Sequence, residues 1–434
     1  MAAARPARDP QPDHEDELMA TTTASLRING DRLWDRLMTL AQIGATQAGG
    51  VNRQALSDEE IAAWRQVIAW AEASGLVAST DDAGNLFITL RGSDPGALPL
   101  LSGSHLDSQP TGGKFDGVYG VAAALEVLTV LAEQGLRPRC DVVAVAWMNE
   151  EGSRFAPGMM GSEIFAGVRE LAVLREVRDA AGVTVGTALD ALHAAFPALP
   201  RHRPGFAFGA YVEAHIEQGP VLEAAGATIG VVTGIQGKKT YEVELRGDKG
   251  HAGTLAMAER RDALAAFARI ASALYADIGG HDALVKFTIG QLRIEPNAPS
   301  VVPERAVLRI DLRHPDAAVL NTLGARLVAL CEAHAAPCEV HVRPLVDAPG
   351  NGFDAALQDS IEAAAHRLAL PSLRLLSAAG HDARHMAPLA PSAMVFIPCR
   401  GGVSHAEHEW AEPAHVAAGA DVLLQVLAAR AGLD

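Results

Sequence analysis

Residues 98–152 read LPLLSGSHLDSQPTGGKFDGVYGVAAALEVLTVLAEQGLRPRCDVVAVAWMNEEG. The apolar runs Leu98–Leu101 and Val142–Trp147 are short and lack polar alternation, the pattern of strands buried on both faces. Between them, Val118–Gln134 is long enough for a helix. Outward from this unit, Leu86–Thr89 and Met394–Ile397 repeat the strand pattern, and Ala414–Ala429 reads as another helix. Ser57 followed by Glu60 is a capping-box spacing that opens a helix through Ile61, Trp64, Val67 and Ile68. Strands alternating with helices predict an α/β domain whose mixed sheet is covered by helices.

The middle of the chain has a different rhythm. Thr240–Leu245 alternates as a strand, Met257–Tyr275 reads as a helix, and Leu284–Ile294 and Ala306–Leu312 as strands joined through Pro296–Pro303. Ala317–His334 is then a helix and Glu339–Val342 a strand. The order β-α-β-β-α-β is ferredoxin-like, and it starts and ends beside glycines (Gly234, Gly237, Gly350, Gly352) suited to hinges. The expected organisation is a tail over 1–27, a large domain over 28–235 and 350–434, and an inserted domain over 236–349. A chain of 434 residues is ample for two cores.

A net charge of −16 disfavours nucleic acid and anionic membranes as partners and favours a small molecule. No apolar run approaches the roughly 18–20 residues that span a bilayer. The tail is rich in Ala, Pro, Thr and acids and lacks the apolar stretch of a signal peptide, so it reads as disordered in a cytoplasmic protein. Cys140, Cys331, Cys338 and Cys399 form no CxxC pair and read as reduced, mostly buried thiols.

Candidate chemistry follows the strands. His105 and Asp107 lie in GSHLD and share a face if the strand continues, so Asp107 is placed to orient His105 or a neighbour. Taken alone, this stretch reads more readily as a surface turn. Asp116, flanked by Gly112, Gly113 and Gly117, is either a ligand or the cap of the following helix. Glu150 and Glu151 are adjacent carboxylates at a strand end. A cation would relieve their repulsion, leaving the second free to carry protons; the alternative is a solvated acidic loop. His215 in EAHIEQG and His405 in GGVSH complete the set. Imidazoles and carboxylates together suit zinc, manganese, cobalt or nickel, and a bridging carboxylate can hold two ions about 3.5–4 Å apart.

The stretches GSHLDSQPTGGKFDGVYG, WMNEEGSRFAPGMMGS, EAHIEQGPVLE, GDKGHAGT, PNAPSVVPE, IDLRHPD, AAGHDA and GGVSHAE, in this order, resemble the M20 metallopeptidase superfamily in its amidase, hydantoinase and carbamoylase branch. That branch holds N-carbamoyl-L-amino-acid hydrolases, β-ureidopropionases and allantoate amidohydrolases. The resemblance implies two divalent ions, one on His105, Asp116 and His215 and one on Asp116, Glu151 and His405, with Glu150 as general base. It implies that the inserted domain is a lid and a homodimer interface, that His251 stabilises an oxyanion, and that Asn297, Arg313 and the backbone at Gly380 bind the substrate's carboxylate. An arginine fork suits that last task on its own chemistry. His381 and Asp382 are expected to support the site from behind. The implied substrate is an N-carbamoyl or ureido acid. Two departures bear on its identity: HAGTLAM stands where HAGTTPM is common, and Lys238 stands where the branch often has Gln. Peptidase-like cleavage and a non-enzymatic metal-binding role are the remaining alternatives.

Overall fold

The computed structural model describes residues 26–433; most of the expected tail lies outside them. The described residues form two compact units, one of residues 26–233 and 353–433 and the other of residues 234–352.

The large unit opens with α1 (Gly30–Leu40), α2 (Asp58–Ala73), β1 (Val77–Asp81), β2 (Leu86–Leu90), β3 (Leu100–His105), α3 (Val118–Glu133) and β4 (Val142–Trp147). It continues through α4 (Val185–Ala195), β5 (Ala210–Ile216) and β6 (Ile229–Ile235). The small unit holds β7 (Gly237–Arg246), α5 (Ala263–Asp277), β8 (Lys286–Glu295), β9 (Arg305–His314), α6 (Ala317–Ala335) and β10 (Glu339–Ala348). The chain then returns through α7 (Ala355–Arg367), β11 (Ser372–Ser377), β12 (Ser392–Ile397) and α8 (Pro413–Arg430).

The large sheet runs β6-β12-β5-β3-β4-β2-β1, with β11 beside β6. Its centre, β12-β5-β3-β4, is parallel, and β2, β1 and β6 join antiparallel, so the sheet is mixed. Every residue of β3, β4, β5 and β12 is buried, which is why continuous apolar runs mark them. α3 is buried nearly all round. Gly120 lets it lie on the sheet, because a Cβ there would meet the Ala214 carbonyl at 2.4 Å. Glu126, the carboxylate inside this helix, is fully buried and is answered by Arg32 at 2.7 Å and Arg36 at 2.9 Å.

Ser57 caps α2 by accepting from Glu60 N, and the Glu60 carboxylate reaches back to Leu56 N rather than to the cap residue. The strand expected at Leu98–Leu101 instead covers Leu100–His105; Leu98 is 53% exposed. The strand continues through polar Ser102 and Ser104 because their hydroxyls donate to Val212 O and Glu213 across β5. It stops at His105, so Asp107 does not share a strand face with it.

In the small unit the order β8-β9-β7-β10 is antiparallel throughout, with α5 and α6 contributing to its apolar core. The helix expected from Met257 begins only at Ala263. Residues 257–259 form a 3₁₀ turn, and Asp262 caps the helix through Leu264 N and Ala265 N. At the unit's ends Gly234 pairs with Gly352 and Ile235 with Asn351. No described helix is long and apolar enough to cross a membrane, and the cysteines are buried and unpaired.

Gly103 tests the sheet packing behind the site. A Cβ there would lie 1.9 Å from Val145 O. Gly103→Ala should therefore lower stability by about 3 kcal/mol, read as a fall in the urea midpoint.

Candidate metal centre

The chain passes from β3 to β4 on one side and later to β5 on the other. The carboxyl ends of β3 and β5 therefore border the crevice at which open α/β sheets place their sites. His105 is the last residue of β3 and His215 the penultimate residue of β5, with ring centroids 6.1 Å apart. Asp116 lies between them just before α3. It does not cap that helix: Gly117 is the cap residue and no side chain serves there. Gly117 has φ +67°, and a Cβ on it would sit 2.3 Å from the His105 ring, so the ring and the loop can share this space only at glycine.

Asp116 Oδ1 is 3.3 Å from His215 Nε2, and Oδ2 is 3.1 Å from His405 Nε2. His405 Nε2 is also 3.5 Å from Glu151 Oε2. Ligand atoms of His105, Asp116 and His215 lie within 4.8 Å of one another, and so do those of Asp116, Glu151 and His405. The five sequence-derived candidates thus fall into two triads that share Asp116. The outer ring nitrogens are fixed: His105 Nδ1 bonds to Asp107 O at 2.9 Å and His215 Nδ1 to Ile216 O at 2.8 Å. Each imidazole therefore presents Nε2 to the crevice.

Glu150 Oε2 stands 3.6 Å from His105 Nε2. The carboxylate of Asp107 accepts the backbone N–H groups of Glu150 at 3.1 Å and Glu151 at 3.2 Å, so Asp107 orients His105 with its carbonyl and the paired glutamates with its side chain. Burial, together with Asp382, Glu151 and Asp107, pushes the Glu150 carboxyl well above the ordinary range despite His105. Burial and then Asp116 raise Glu151 to about 7. Burial also opposes the charge on Asp116, but His405, His215 and His105 outweigh it and hold that carboxyl well below its usual value. His215 is driven down to about 4 by burial, while the hydrogen bond to Asp116 lifts His405 to about 9. A dense set of buried carboxylates met mainly by imidazoles is a site that a divalent cation fits.

Glu213, His215 and His381 also come within 4.8 Å, yet their atoms are already engaged. Glu213 accepts from Ser104 Oγ at 2.7 Å, and from Tyr211 OH and Ala383 N at 3.1 Å each. His381 Nε2 bonds Ser377 Oγ at 2.9 Å, and its ring lies 4.5 Å from that of His215. Asp382 accepts from Ser162 Oγ at 2.5 Å. This network braces His215 from behind. Half-buried Gly380 precedes it.

Sequence reasoning gave no role to Gln218, Ser404 or Glu409. Gln218 Nε2 is 3.2 and 3.1 Å from the Asp116 oxygens and 3.1 Å from Ser404 Oγ. Gln218 stood inside a quoted stretch, but no spacing marked it.

Within the small unit, Lys238 and Arg313 are register partners, and both bond Asp311, at 3.1 and 2.8 Å. His251 is exposed and pairs with Val301, and Asn297 is exposed with φ +51°.

The profile of peptidase family M20/M25/M40 matches residues 101–429. An N-carbamoyl-L-amino-acid amidohydrolase of Rhizobium meliloti is 39% identical over 421 residues, 94% of this chain and 98% of that protein. An allantoate amidohydrolase of Bacillus subtilis is 34% identical over 408 residues, covering 91% and 96%. The crystal structure of a hydantoinase/carbamoylase-family amidase from Burkholderia vietnamiensis superposes with a TM-score of 0.86 at 41% identity, covering 94% and 98%.

Chelated protein given Mn²⁺ or Zn²⁺ should melt several degrees higher. An ion at a hundredfold excess over its Kd adds about 2.7 kcal/mol. Asp116→Ala should abolish that rise, and a wild-type Tm indifferent to every divalent ion would argue against a metal site.

Proposed function

The chain belongs to peptidase family M20/M25/M40, and on that premise we propose that it hydrolyses the C–N amide bond of an N-carbamoyl-L-amino acid, the activity for which its Rhizobium meliloti relative is named. It is an amidohydrolase acting on linear amides other than peptides. The observation that carries a metal-dependent mechanism is the pair of donor triads meeting at Asp116, with Glu150, which belongs to neither triad, 3.6 Å from His105. In this reading His105, Asp116 and His215 hold one divalent ion, and Asp116, Glu151 and His405 a second. Zinc, manganese, cobalt and nickel all suit these donors.

When bound, such ions supply a water of lowered pKa and a polarised carbonyl. Glu150 takes the proton of the attacking water and passes it to the leaving nitrogen. Its carboxylate, 3.6 Å from His105 Nε2, is placed for both halves of that transfer, and Asp107 holds its backbone in place. One water adds to the carbamoyl carbon, and the products are the free amino acid, ammonia and carbon dioxide. His251 donates to the developing oxyanion. Arg313, Asn297 and the backbone at Gly380 receive the substrate's carboxylate, a task for which the arginine fork is suited. Lys238, paired with Asp311 beside Arg313, stands where the family resemblance implies a Gln. A homodimer through the small unit is supported by β8 and β10 lying at the edges of their sheet. A cytoplasmic location is supported by the unpaired cysteines.

A second reading, an allantoate amidohydrolase, is supported by the Bacillus subtilis relative, and a β-ureidopropionase is the remaining alternative of this class. Ammonia release from N-carbamoyl-L-amino acids, N-carbamoyl-β-alanine, allantoate and dipeptides separates these readings; the first class should turn over fastest and the dipeptides not at all. Glu150→Gln should lower kcat by about 10²–10⁴-fold with metal content intact, and retained turnover would remove Glu150 from the base role. Arg313→Lys should raise KM for carboxylate substrates while sparing kcat, which steady-state kinetics will show.

A further inference from the structure

We propose that Glu409 is a positioning residue of the metal centre, tying the loop of Asp116 to the loop of His405; the proposal rests on the reading of those two residues as metal ligands. Glu409 is 1% exposed. Its Oε1 accepts the backbone N–H groups of Phe115 at 2.9 Å and Asp116 at 3.1 Å. Its Oε2 accepts the Ser404 hydroxyl at 2.9 Å. Gly113 is fitted to this carboxylate, since a Cβ there would lie 2.0 Å from Oε1. The Asp116 loop can close over Glu409 only with glycine at that position.

The other end of the clamp sits beside strain. His405 follows Ser404 and has φ +54°, a backbone region that a non-glycine residue keeps only where its surroundings impose it. Gln218 donates to Ser404 Oγ and to Asp116, so Gln218, Ser404, Glu409 and the Asp116 backbone close a ring around the shared carboxylate. Glu409 thereby anchors two ligand loops while being neither ligand nor reactant. The ion on Asp116, Glu151 and His405 draws two of its donors from the clamped loops. The ion on His105, Asp116 and His215 draws one.

The test is ion content of the full-length protein dialysed against buffered free Mn²⁺ or Zn²⁺, for wild type, Glu409→Ala and Glu409→Gln. Glu409→Ala should weaken one of two ions by about 10–100-fold and the other less. Glu409→Gln should bind nearly as wild type. Its amide oxygen keeps both backbone bonds, and Ser404 can turn its hydroxyl to Asp116 Oδ2, 3.3 Å away. Glu409→Ala binding both ions at wild-type affinity would overturn the proposal. So would equal loss of both ions in the Ala and Gln variants. A wild type that binds no ion is a different result, which removes the metal reading itself. Should Glu409→Ala not fold, Ser404→Ala carries the test: weakening centred on one ion supports the clamp, and unchanged binding of both overturns it.

Discussion

A carboxylate turned into a protein interior has to be answered by donors or by a cation, and Asp116 is approached from several loops at once. His215 reaches one oxygen from the end of β5, His405 reaches the other from the loop after β12, and the Gln218 amide lies across both. The desolvation cost of such a group is several kcal/mol when it is left unpaired. The loops that meet there are therefore coupled: each must be in place for the others to be satisfied. The doubly buried strands provide the rigid base, and the glycines at 113 and 117 provide the clearance.

The surrounding polar groups share one logic. Asp107 receives the backbone of the paired glutamates, Glu409 receives the backbone at Asp116, and Glu213 receives Ser104, Tyr211 and Ala383. None of these three carboxylates belongs to the two triads that share Asp116. They convert backbone N–H groups and hydroxyls into fixed supports, so that the groups facing the crevice are held by charge-assisted hydrogen bonds rather than by loop packing alone. Asn149, Gln218 and His405 all have φ between +54° and +56°, so left-handed backbone accompanies three of the strand-end loops at the site.

Legibility in the sequence followed locality. Val142–Trp147 was readable to the residue because a strand buried on both faces must be apolar throughout. β3 was cut short because Ser102 and Ser104 are polar for reasons that lie on β5. The apolar rhythm of Met257–Tyr275 ran past Asp262, whose capping bonds set where α5 begins. His105, Asp116, Glu150, Glu151, His215 and His405 stood out as chemistry-bearing residues near strand ends, and the fold gathers them. Glu409 could not be read in this way, because its partner Phe115 is 294 positions distant and no spacing records which loops fold together.

The position of β12 has a consequence for how the molecule is made. β5 and β6 are near neighbours along the chain, yet β12 lies between them in the sheet, parallel to one and antiparallel to the other. The sheet therefore cannot close on its own N-terminal portion. During synthesis the slot between β5 and β6 must stay open until about the last tenth of the polypeptide arrives, and Ser404 joins Asp116 across 288 residues. Contacts so remote in sequence form late and slowly. A nascent or truncated chain lacking β12 would expose two apolar strand edges, a state prone to aggregation.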